Sequence, residues 1–162
     1  MVDFEQRLEK AIQRGKRASD ARARVEAEKA LSEQELRRLH TQCRLELCEH
    51  IQQCLEKLAQ YFPGFRLETI HSEQGWGTAI SRDDVEVQKR GRRTNYFSRL
   101  EMTIPPVNQY FVLELAAKAT IRNKEYFNRR HFEKLADLDL TSFTELIDRW
   151  TLEYAELYAS KS

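Results

Sequence analysis

The chain is poor in the residues that break or staple a fold, with 5 glycines, 3 prolines and 3 cysteines in 162 residues. So little glycine and proline excludes a loop-rich sandwich, a collagen-like fibre and a long flexible linker. No run approaches the ~18 apolar residues of a membrane-spanning helix, so no membrane partner is expected. The start, Met1-Val2-Asp3-Phe4-Glu5, lacks the basic and then apolar stretch of a secretory signal. An excess of one charge is also missing. Lys+Arg 27 against Asp+Glu 26 leaves a net charge of +1, which indicates neither an acidic tail nor a uniformly basic nucleic-acid binder. Cys43, Cys48 and Cys54 are an odd number within one expected helix, where their spacings cannot meet disulfide geometry inside one chain. Reduced thiols and a cytoplasmic location are the economical expectation.

What is present is a change of period near Pro63-Gly64. Residues 1–62 hold no proline and one glycine, Gly15, and are rich in Ala, Glu, Gln, Arg and Leu, all strong helix formers. Leu36, Leu39, Cys43, Leu47, Ile51, Cys54, Leu55, Leu58 and Phe62 recur at three and four residues and make one apolar stripe. Ser32 and Glu35 have capping-box spacing and Leu31 and Leu36 staple spacing, so this helix is expected to start at Ser32, with one unbroken helix through Ser32 as the rival, since S-x-x-E also occurs by chance inside helices. Upstream, Phe4, Leu8, Ala11 and Ile12 begin a stripe that thins through Gly15, Ala18, Arg22 and Val25. A helix this polar is not held by its own core face, so it is either a marginal arm or half of a short, imperfect coiled coil with a second copy.

From Gly64 onward the period is two. Phe65/Leu67, Trp76/Thr78/Ile80, Val85/Val87, Tyr96 to Ile104 and Phe111 to Ile121 alternate apolar with polar, which reads as an antiparallel sheet of about five strands with one buried face. A four-residue loop, Pro106 to Gln109, would pair Ile104 with Phe111, Met102 with Leu113 and Leu100 with Leu115, and would set Glu101 opposite Glu114. Residues 123–140 read as irregular, with a helical turn around Phe132 to Leu135. Ser142 and Glu145 have capping-box spacing ahead of an amphipathic helix whose apolar face is Phe143, Leu146, Ile147, Trp150, Tyr154, Leu157 and Tyr158. The fold class expected is α+β, with a helical region over 1–62 and a sheet plus a packed C-terminal helix over 63–162.

Candidate chemistry is sparse. His50 with Cys54, and His40 with Cys43, each place two zinc-ligand types on one helical face, but they fall on or beside the apolar stripe. They read as core, so no metal and no cofactor is expected. There is no G-x-S-x-G, Walker loop, G-x-G-x-x-G, C-x-x-C or H-E-x-x-H, and no catalytic residue is assigned. Glu101 and Glu114 would be the one carboxylate pair, flanked by Arg99 and Lys118 as an ordinary solvated face. Trp76, held between Gly75 and Gly77, is a candidate for stacking on a ligand at a hairpin rim, or else packs in the core. Lys89, Arg90, Arg92 and Arg93 cluster at a glycine turn, and Arg122 and Lys124 belong to a second basic segment. If these meet at one end of the sheet they form a positive rim that could hold a phosphate backbone or a partner protein. The leading expectation is a non-enzymatic interaction or scaffolding module, homodimeric through Leu36, Leu39, Cys43, Leu47, Ile51, Cys54 and Leu58. Nucleic-acid binding by the rim stands second, and an enzyme or small-ligand pocket between sheet and helix near Trp76 third.

Overall fold

The computed structural model describes residues 3–161, apart from the side chain of residue 31. They divide into two compact units, one up to Arg38 and one from Leu39. A single helix, α1 (Phe4–Tyr61), runs through the first unit from Phe4 and supplies the beginning of the second. The expected start at Ser32 is not found, because helix runs without interruption through residues 28–38. Ser32 and Glu35 have the spacing of a cap, but every flanking residue is a good helix former, so the ladder continues past them. The staple expected of Leu31 falls on a side chain outside the described residues.

The second unit is an antiparallel meander in strand order β1-β2-β3-β4-β5, with β1 Arg66–Ser72, β2 Gly75–Val87, β3 Arg93–Ile104, β4 Val112–Ile121 and β5 Lys124–Lys134. Helix α2 (Leu140–Lys161) follows a single 3-10 turn at Leu135–Asp137. The α+β class holds: a long N-terminal helix, a five-stranded antiparallel sheet and a C-terminal helix. Alternation does its expected work in β3 and β4, where Leu100, Met102 and Ile104, and Leu113, Leu115, Ala117, Ala119 and Ile121, are all buried. His40, Cys43, Leu47, Ile51, Leu55 and Leu58 of α1, and Phe143, Ile147, Trp150, Tyr154 and Tyr158 of α2, complete the core. Tyr154 shows how the buried polar tips are satisfied: its hydroxyl donates to the Thr120 carbonyl at 3.0 Å, and burial pushes its pKa up.

Four local expectations are corrected. The two runs Trp76–Ile80 and Val85–Val87 are one long strand, β2, and the fifth strand is β5, in the segment read as irregular. Val85 and Val87 are exposed, although their stretch of β2 is paired with β3. The β3–β4 register differs by four residues on β4. Leu100 pairs with Ala119 in place of Leu115, and Met102 pairs with Ala117 in place of Leu113. The connection is residues 105–111, turned by Asn108, whose side-chain oxygen accepts from the Tyr110 amide at 2.9 Å and whose carbonyl accepts from the Phe111 amide at 3.1 Å. An even slip keeps every side chain on its face, which is why alternation alone could not detect it. Finally, α2 is capped by Asp139, whose carboxylate accepts from the Thr141 amide at 3.1 Å, and not by Ser142. Ser142 hydroxyl instead donates to Glu133, which also takes the Asp139 amide at 3.2 Å.

Candidate interaction surface

Residues 3–30 are exposed throughout, apolar ones included: Phe4 is 76% exposed and Val25 64%. Within this unit Phe4, Leu8, Ala11, Gly15, Ala18, Arg22, Val25, Lys29, Ser32 and Leu36 follow one another at alternating steps of four and three. On a helix that spacing is one seam, mixing large apolar groups, small groups and two long cations. The column immediately before every second seam residue reads Arg7, Arg14, Ala21, Glu28, Glu35. It is positive, positive, neutral, negative, negative. Reversed end for end, this column is its own complement.

The other residues singled out from the sequence are placed as follows. Cys43, Leu47, Ile51 and Leu58 are buried within the chain itself, Leu36, Leu39 and Cys54 are half-buried, and none of the seven is fully exposed. The sequence stripe is thus mostly the inner face of α1 against its own sheet. Trp76 is half-buried at the β1–β2 hairpin. The Arg44 guanidinium sits 4.2 Å from its ring centroid, the His71 ring is at 6.0 Å, and the Cys48 thiol donates to its carbonyl at 3.4 Å. The flanking glycines have a local cause. A Cβ on Gly77 would lie 1.9 Å from the Met102 carbonyl oxygen, and Gly75 adopts a φ of 150° to close the hairpin.

Lys89, Arg90, Arg92 and Arg93 lie at the β2–β3 turn, while Arg122 and Lys124 flank the β4–β5 turn at the same end of the sheet. The Asn123 amide donates to the Phe97 carbonyl at 2.8 Å, which fastens the second turn to β3. The two basic segments thus share one end of the sheet, and the second is partly neutralised. Arg122 pairs with Glu86 at 3.4 Å and stacks over Tyr96 at 4.1 Å, and Lys124 sits over Tyr126 at 5.3 Å. Glu101 and Glu114 are not neighbours. Glu101 faces Lys118 across the ladder and pairs with Arg99 at 3.4 Å, while Glu114 pairs with Arg130 at 3.1 Å. The sheet face they occupy carries an open hollow of about 500 Å³ lined by Ser72, Glu101, Thr103, Lys118, Asn128 and Arg130. Each carboxylate has a guanidinium partner, and of the two only Glu101 lines the hollow.

One cluster was only partly visible in the sequence spacing, which lacks its third member. His50 and Cys54, one turn apart on α1, meet Asp148 of α2: His50 Nε2 is 2.7 Å from Asp148 Oδ1, and the Cys54 thiol donates to the same oxygen at 3.3 Å. Burial pushes the Cys54 thiol up to about 12, and the Asp148 hydrogen bond and charge add to the rise. A thiol held that firmly protonated is no nucleophile at neutral pH. No family model matches this chain, and neither does any curated protein or solved structure. Among the described residues, no helix is long and apolar enough to cross a membrane.

Proposed function

We propose that this chain is a non-enzymatic interaction module that pairs with a second copy of itself, helix against helix and antiparallel, through residues 4–36. The observation that carries the reading is the Arg7, Arg14, Ala21, Glu28, Glu35 column. In antiparallel coiled coils such flanking columns face each other, and a register centred near Asp20 sets Arg7 against Glu35 and Arg14 against Glu28, twice over by symmetry. A parallel pair would lose this complementarity. The same register stacks Phe4 on Leu36, Leu8 on Ser32, Ala11 on Lys29, Gly15 on Val25 and Ala18 on Arg22. The long cations then cross small residues, and their stems cover apolar surface while the charges reach water. A seam with two cations per helix specifies orientation at a cost in affinity, so the association is reversible. Three unpaired thiols suit a reducing, cytoplasmic setting for such a module.

Charge reversal tests it. Arg7→Glu/Arg14→Glu and Glu28→Arg/Glu35→Arg chains each carry a column of one sign, and each is expected to sediment as a monomer at about 50 μM, where a standard interface is populated. Mixed in equal amounts, they are expected to form a heterodimer. A wild-type chain that stays monomeric at that concentration, or reversed chains that dimerise as well as wild type, would sink the reading.

A further inference from the structure

We propose that His50, Cys54 and Asp148 bind a zinc ion, with three protein ligands and the fourth position held by water. The three donor atoms, an imidazole nitrogen, a thiol sulfur and a carboxylate oxygen, all lie within 4.8 Å of one another. Tetrahedral zinc with bonds of about 2.0–2.3 Å needs its donors about 3.3–3.6 Å apart. The sulfur is close to that already, at 3.3 Å from Asp148 Oδ1 and 3.7 Å from His50 Nε2. Only the 2.7 Å contact of His50 with Asp148 must open, and Asp148 is an exposed side chain with room to turn. The i, i+4 step on α1 fixes His50 and Cys54 on one face, and α2 is held against them by the core around Ile51, Leu55, Ile147 and Trp150.

The donor set names the metal class. Calcium and magnesium take oxygen ligands almost exclusively, whereas a mixed nitrogen, sulfur and oxygen set suits zinc. Three protein ligands leave a coordination position free, the arrangement of an open site and not of a closed structural one. Cys54 and Asp148 also border a groove of about 490 Å³ whose other walls include Leu58, Tyr61, Phe62, Thr151 and Leu152. A water or a small anion on the metal would therefore sit at the edge of an apolar cleft.

The test uses the full chain, reduced and stripped of metal, titrated with Zn2+ by calorimetry and with Co2+ by absorption. One ion per chain is expected, and cobalt is expected to show a thiolate charge-transfer band. Cys54→Ser should abolish that band and Cys48→Ser should keep it. Asp148→Asn changes an exposed group, so its fold is expected to survive, yet its zinc affinity should fall by more than about 100-fold, beyond the loss typical of an outer-shell change. Zinc should raise the melting temperature of wild type and not of Asp148→Asn. Absence of binding by wild type at micromolar metal, or binding that Asp148→Asn leaves intact, would overturn the proposal. In the latter case the trio is only a hydrogen-bonded clasp between α1 and α2.

Discussion

His40 is buried against its own chemistry. It is 3% exposed, and its Nε2 reaches no hydrogen-bond partner. Burial pulls its pKa below the ordinary histidine value, the hydrogen bond with the Pro105 backbone pushes back, and the Arg44 charge adds to the depression. Between the folded value and the unfolded value near 6.5, the unfolded chain binds the proton and the folded chain does not. The stability this group contributes is therefore complete above about pH 6.5 and is lost as pH falls toward the folded value. Urea midpoints measured from about pH 7 down to about pH 5 are expected to fall in wild type and to fall less in His40→Met, which cannot take up that proton. Parallel curves would show that the buried imidazole is not the group responsible.

At the scale of elements, α2 closes the core. Trp150 is buried, and Trp150→Ala is expected to cost about 3–5 kcal/mol through the cavity it leaves. The proper control is Glu156→Ala, which is exposed and should stay within about 0.5 kcal/mol. Glu153 would be a poor control, because it grips Arg129 through both carboxylate oxygens, a pairing that lowers its pKa. Equal small losses in denaturant melts would mean that α2 does not seal the sheet. Most elements were legible because periods of 3.6 and 2 report burial directly, as in Leu47–Ile51–Leu55 and Leu100–Met102–Ile104. β5 was not. Its Lys124–Lys134 run is dominated by charged groups that pair across the edge, and only Phe127 in it is buried. The site residues divide the same way. His50 and Cys54 are visible as a helical pair, but Asp148 is 94 residues beyond Cys54, and only the packing of α2 on α1 brings it there. The flanking charge column is hidden until Ser32 is known to lie inside one helix, since a break at that point separates Glu35 from Arg7 and Arg14.

The whole molecule joins a unit with its own core to a helical unit that has none, and the antiparallel reading makes a demand on the assembly that no single chain can meet. In the register centred near Asp20, Ala11 of one copy lies opposite Lys29 of the other. Two Ala11 residues are then 18 residues apart along the axis, about 27 Å at the helical rise. A disulfide requires Cα atoms within about 7 Å. Ala11→Cys chains oxidised alone are therefore expected to give no new cross-linked dimer over wild type, and Lys29→Cys chains alone should behave likewise. Mixed before oxidation, the two variants are expected to form a mixed disulfide, read as one covalent heterodimer by mass spectrometry. A parallel pair inverts the result, because each seam position then faces itself and each variant cross-links alone. A chain that does not self-associate gives neither product, whatever the mixture. The replacement of Lys29 also removes a cation from the seam, so the mixed pair should form at a lower concentration than wild type does.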